Sequence, residues 1–218
     1  MSWDVVLFDL DGTLVDSFDQ ISECCTKIRN RLKLRTVEKD ELEKLIGLPA
    51  DRLFFDCPPQ IMDRAVDMFR EELLKEIEVN NKLFLGASEL LIILKQKGIG
   101  TAVATSKPHH LAKKVVKNSS LNGLIDYIQG VDGFPPKPNP EVILRCQAHF
   151  LARKFVMVGD RPEDIQAGLD SGCFTVGIAQ GTFGEEELKS IGAHEVFQSI
   201  EHLTYEIAEF LTRLESYG

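Results

Sequence analysis

Two acidic clusters have the residue types and spacing for chemistry. In Phe8-Asp9-Leu10-Asp11-Gly12-Thr13 two carboxylates lie one residue apart at the end of an apolar run, Val5–Leu10. If that run is a strand, alternation sends Asp9 and Asp11 to the same side, and Gly12 lets the chain turn away tightly. Such a pair is costly unless a cation or a proton-transfer task compensates. The second cluster, Val158-Gly159-Asp160-Arg161-Pro162-Glu163-Asp164, again ends an apolar run. Pro162 suits the first turn of a helix, which puts Asp160 at a strand tip and Asp164 one turn on. Oxygen ligands without His or Cys nearby suit Mg2+ rather than Zn2+. Thr105, at another strand end, and Lys137, in Pro136-Lys137-Pro138-Asn139-Pro140-Glu141, add a hydroxyl and an ammonium, both natural partners of phosphate oxygens. Singly, each signal has a plainer meaning as a turn, a helix cap or a solvated lysine. Four of them in order, each at the end of an apolar run, point to phosphoryl transfer.

Those ends must be held by strands. Val5–Leu10, Ile99–Ala104, Phe155–Val158 and Cys173–Ile178 read as short strands buried on both faces, with Ile125–Gln129 and Glu195–Phe197 as weaker ones. Helical patterns alternate with them over Ala87–Gln96, His109–Asn118, Pro140–Phe150, Pro162–Ser171, Glu185–Ile191 and Ile200–Leu214. The expected class is α/β, a Rossmann-like parallel sheet with chemistry at the carboxyl ends of its strands. Residues 15–81 differ. Ser17–Leu34, Val37–Ile46, Asp51–Phe55 and Gln60–Val79 show helical spacing with no convincing strand, too long for an ordinary βα connection. The reading is a core of residues 1–14 and 82–218 with an inserted all-α cap over 15–81.

Composition narrows the partners. The chain has 218 residues, 44% hydrophobic, with 34 Asp+Glu against 25 Lys+Arg and a net charge of −9. An acidic chain without a Lys/Arg-rich window argues against nucleic acid and anionic membranes. No apolar run approaches the roughly 20 residues of a membrane span. The N-terminus lacks a secretory pattern, and the five cysteines, odd in number and without CxxC spacing, suit free thiols in the cytoplasm.

DxDGT, a later strand-end Thr, a lone Lys and GDxxxD resemble the four motifs of the haloacid dehalogenase superfamily. FDLDGTLVDS, the KPNPE around Lys137, GDRPEDIQAGLDSG and Gly181-Thr182-Phe183-Gly184 look closest to phosphoglycolate-phosphatase-like members with a helical cap. The resemblance implies Mg2+-dependent hydrolysis of a small phosphorylated metabolite through a phosphoaspartyl intermediate. It makes Asp9 the nucleophile and Asp11 the general acid and then base. Thr105 and Lys137 would bind phosphate oxygens, and Asp9, the Asp11 carbonyl, Asp160 and Asp164 would hold the metal. Backbone N–H groups around Leu10–Gly12 would add phosphate contacts.

Three positions depart from the pattern. Ser106 stands where many relatives have Asn, Arg161 follows Asp160 where a small hydroxyl residue is common, and Val131–Pro136 precedes Lys137 with an unusual loop. Arg161 is read as a surface arginine, with reach toward the substrate as the alternative, and the pair His109-His110 as helix surface. In Ile46-Gly47-Leu48-Pro49-Ala50-Asp51-Arg52, a Gly-Pro break would present Arg52 over the cleft for an anionic substrate group. Alternatives on the same motifs are a phosphomutase of the β-phosphoglucomutase kind, a pyrophosphatase or nucleotidase, and a non-catalytic binding protein.

Overall fold

The computed structural model describes residues 4–79, 81–152 and 154–216. Six strands, β1 (Val5–Phe8), β2 (Gly100–Pro108), β3 (Tyr127–Val131), β4 (Phe155–Gly159), β5 (Phe174–Ile178) and β6 (Glu195–Phe197), form one sheet. All neighbours are parallel, in the order β3-β2-β1-β4-β5-β6. The order reverses between β1 and β4, and in open α/β sheets the crevice at such a reversal receives ligands. The α/β fold expected from sequence is the one observed.

β1 is central, with Val5 in register with Gly100 on one side and Phe155 on the other. Alternation divides its side chains between two cores. Val6 and Phe8 pack with Leu90, Leu94 and Val115, and Val5 and Leu7 pack with Ile143, Cys146 and Met157. Burial on both faces is why the run is wholly apolar. The strand ends at Phe8, two residues earlier than its apolar run suggests, because the backbone of Leu10–Val15 bonds to itself. Leu14 and Val15 N–H both donate to the Leu10 carbonyl, and Gly12 N–H donates to that of Val15.

Between β1 and α4 (Ala87–Gln96) the described residues contain no strand. They form α1 (Phe18–Arg31), α2 (Lys39–Leu45), a 3-10 turn (Ala50–Phe54) and α3 (Pro59–Val79). α3 buries Ala65, Val66, Phe69, Leu73 and Ile77, a stripe at helical spacing that packs on Ile21, Cys24, Cys25 and Ile28 of α1. Phe54 meets Phe69 edge-on, with ring centroids 5.9 Å apart. Arg29 of α1 is buried; it donates to the carbonyls of Leu53 at 2.8 Å and Arg35 at 2.9 Å, and to both oxygens of Asp56.

The other helices are α5 (His109–Lys117), α6 (Glu141–His149), α7 (Pro162–Asp170), α8 (Glu185–Ile191) and α9 (Ile200–Ser216). No helix among the described residues is long and apolar enough to cross a membrane. All five cysteines are free and buried.

Candidate active site

The site lies where β1, β2 and β4 end. Asp9 N–H donates to the Val158 carbonyl at 2.9 Å, the last rung between β1 and β4. The turn then swings the chain across the tip of β4. Gly12 takes φ +89°, and a Cβ there would lie 2.5 Å from Asp160 Oδ2, so two backbone-borne loops meet with no room for a side chain. Thr13 Oγ1 donates to Asp160 Oδ1 at 2.9 Å, and Gln180 Nε2 donates to the carbonyls of Gly12 and Thr13. Asp9 and Asp11 thus reach one cavity through a turn, rather than by alternation along a strand.

Three carboxylates, Asp9, Asp160 and Asp164, gather so that one oxygen from each lies within 4.8 Å of the others. All three are buried. Asp164 reaches them from the first turn of α7, where Arg161 N–H donates to its Oδ2 at 3.1 Å. Lys137 is the counter-charge: its Nζ stands 2.5 Å from Asp9 Oδ1, 2.5 Å from Asp164 Oδ1 and 2.8 Å from the Ala104 carbonyl. Burial works against the charge on Lys137, but Asp164 and Asp9 outweigh it and hold the ammonium above the usual lysine range. One ammonium does not balance three acids. Burial pushes the Asp9 carboxyl up to about 6, even against Lys137, with Asp164 adding to the rise. Burial, then the charges of Asp164 and Asp9, hold Asp160 well above the ordinary carboxylate range. Hard oxygen donors and a shortfall of positive charge fit a divalent cation.

Asp9 and Asp11 open into a cavity of about 770 Å3 between the sheet and the helical segment. Thr105 and Ser106 line it from β2, and the buried Thr105 hydroxyl accepts from Lys107 N–H at 3.2 Å. Val131, Asp132, Gly133 and Pro136 line it ahead of Lys137. Leu48, Pro49 and Asp51 cover it from the helical side.

Two sequence expectations are corrected. Arg52 is exposed and does not line the cavity, because the 3-10 turn brings Asp51 and Leu53 to the cavity and leaves Arg52 outside. Arg161 is buried rather than on the surface, since its guanidinium finds carbonyl acceptors in the helical segment. His110 is exposed at the start of α5, where it also borders the cavity, and the half-buried His109 accepts from Gly130 N–H at Nδ1.

Lys107 was not singled out from the sequence. It is buried, with its Nζ 2.8 and 2.7 Å from the two oxygens of Asp11. The only local trace was a lysine directly after Thr105-Ser106.

The chain matches the family model described as haloacid dehalogenase-like hydrolase over residues 6–178. The chain belongs to this family. Like its relatives, this haloacid dehalogenase-like protein is a hydrolase. It is 34% identical over 176 residues to a phosphoglycolate phosphatase of Aquifex aeolicus, covering 78% of this chain and 82% of that protein. It is 28% identical to the pyrophosphatase PpaX of Anoxybacillus flavithermus, covering 86% and 89%. The crystal structure of a predicted phosphatase from Clostridium acetobutylicum superposes with a TM-score of 0.83 at 28% identity, covering 96% of this chain and all of that one.

Proposed function

We propose that this haloacid dehalogenase-like hydrolase is a Mg2+-dependent phosphatase acting on a small phosphate monoester through a phosphoaspartyl intermediate on Asp9. The observation that carries the reading is the placement of Asp9, held on the Lys137 ammonium beside Asp160 and Asp164, at the floor of a cavity sized for a small molecule.

Asp9 Oδ attacks phosphorus, and the bond from phosphorus to the leaving oxygen breaks. Lys137 fixes the nucleophile and, with the Thr105 hydroxyl, faces the phosphate oxygens. Asp11, paired with Lys107, relays a proton from the Lys107 ammonium to the leaving oxygen, then takes one from the water that cleaves the acyl phosphate and returns it to Lys107. Asp9, Asp160, Asp164 and the Asp11 carbonyl would hold Mg2+, which screens the repulsion between carboxylate and phosphate dianion.

Residues 15–81 serve as a cap over a core of 1–14 and 82–218, with residues 45–51 forming the wall that faces the leaving group. The relatives' names favour a compact substrate of the phosphoglycolate kind. A phosphate-release screen of metabolites with Mg2+, using Asp9→Asn as the blank, tests the reading. Release abolished by Asp9→Asn is the expected result. Release undiminished in that variant, or isomerised sugar phosphate in place of free phosphate, would overturn it.

A further inference from the structure

Arg161 joins two parts of the site that the sequence keeps far apart. Its backbone follows Asp160 and its N–H bonds Asp164, so its main chain belongs to the carboxylate loop. Its side chain leaves that loop for the helical segment. Nη1 donates to the Ile46 carbonyl at 2.7 Å and Nη2 to the Lys44 carbonyl at 3.1 Å. These are acceptors at the carboxyl end of α2, where helix carbonyls lack intrahelical partners and the dipole favours a cation. The guanidinium is steadied by Glu163 Oε2 at 3.2 Å from Nε and by the Phe183 ring, 5.0 Å to its centroid. Thr182 Oγ1 adds a parallel bond to the Glu43 carbonyl at 3.3 Å.

The next residue of the helical segment is fitted to this arginine. Gly47 has φ +90°, and a Cβ there would lie 2.7 Å from Arg161 Cδ. Past Gly47 the chain becomes the cavity wall, Leu48, Pro49, Ala50 and Asp51. The position of that wall relative to Asp9 is therefore set where Arg161 grips the two carbonyls.

We infer that Arg161 is a positioning residue that holds the wall at residues 45–51 over Asp9, so that the carboxylate loop itself carries the surface facing the substrate's leaving group. This rests on the reading of the cavity as the substrate site. Loss of the grip weakens binding of an ester whose leaving group meets the wall. It does not affect orthophosphate, which occupies only the Asp9 end. A lysine at 161 keeps the charge but cannot span two carbonyls with one planar group.

The test uses the full chain with Mg2+ and four variants, Arg161→Ala, Arg161→Lys, Gly47→Ala and the double Arg161→Ala/Gly47→Ala. KM and kcat are measured for para-nitrophenyl phosphate, with orthophosphate as competitive inhibitor. Arg161→Ala is expected to raise KM about tenfold, the scale of losing charge-assisted hydrogen bonds, while kcat changes less and orthophosphate inhibition is unchanged. Arg161→Lys is expected to follow Ala, and the double variant to be no worse than the worse single one. Unchanged KM, parallel weakening of ester and orthophosphate, full recovery by Lys, or additive effects of the two sites would each overturn the inference. If Arg161→Ala does not fold, Arg161→Lys and Gly47→Ala carry the same comparisons. If the wild type hydrolyses no phosphate ester, the functional reading fails alone. The coupling of Arg161→Ala and Gly47→Ala in melting temperature then decides the grip: non-additive shifts support it and additive shifts overturn it.

Discussion

Lys107 holds both carboxylate oxygens of Asp11, at 2.8 and 2.7 Å, inside the cavity and away from bulk water. Removing one partner of a buried ion pair strands the other, whereas removing both leaves no charge to solvate. Lys107→Met is expected to lower the unfolding free energy by about 3–5 kcal/mol. Lys107→Met/Asp11→Leu should recover most of that in chemical denaturation while remaining inactive on alkyl phosphates. A double variant no more stable than the single one would show that the pair is not what stabilises this corner.

Among the described residues, Lys137 is the ammonium paired within the Asp9, Asp160 and Asp164 cluster, with Asp9 and Asp164. Lys137→Met takes away both the anchor of Asp9 and a donor facing the phosphate. The expected loss in kcat is about 10²–10³-fold, the scale of one preorganised electrostatic donor. Phosphate release at saturating Mg2+ measures it, and a loss under about tenfold would contradict the placement of Lys137 at the reacting group.

Protons and a divalent cation should compete for the same carboxylates. Asp9 is pushed up to about 6 from an ordinary 3.8, and Asp160 shifts in the same direction. A raised carboxyl favours the folded state while protonated. Its contribution is therefore complete below the ordinary value and is lost as pH rises through about 6. Without metal, the stability of wild type relative to Asp9→Asn should fall between pH 4 and pH 7. With Mg2+ the rise in melting temperature should grow over that window, since bound cation replaces bound proton. A Mg2+ effect independent of pH would remove this cluster as the binding site.

Arg52 gives a negative expectation. The 3-10 turn leaves it exposed and outside the cavity lining. Arg52→Ala should leave KM as in the wild type for phosphate monoesters with either a carboxylate-bearing or an uncharged leaving group, measured by steady-state kinetics. A rise confined to the carboxylate-bearing esters would show that the turn rotates inward when substrate binds.

What the sequence revealed divides along one physical line. Asp9, Asp11, Thr105, Asp160 and Asp164 sit at the ends of apolar runs, and a strand end is a local pattern that can be read without knowing what faces it. The sheet and the helical segment were legible for the same reason, through short unbroken apolar runs and a period of three to four. Arg161 and Lys107 were not. Arg161 bonds backbone carbonyls, which every residue carries, at positions far upstream. Lys107 meets an aspartate across the sheet. Arg52 misled because a Gly-Pro break shows that a chain turns, but not which of two adjacent side chains then faces inward.

The central place of β1 also sets an order of assembly. Its partners begin at Gly100 and Phe155, so the strand that leads into Asp9 is synthesised first and paired last on its β4 side. Pairings so distant along the chain form slowly, whereas α1 and α3 are near neighbours in sequence and can pack early. A nascent chain ending short of Phe155 therefore holds Asp9 and a packed helical segment, but neither the ladder that seats Asp9 nor the acids beside it. The three carboxylates can therefore gather only once β4 and the first turn of α7 have emerged.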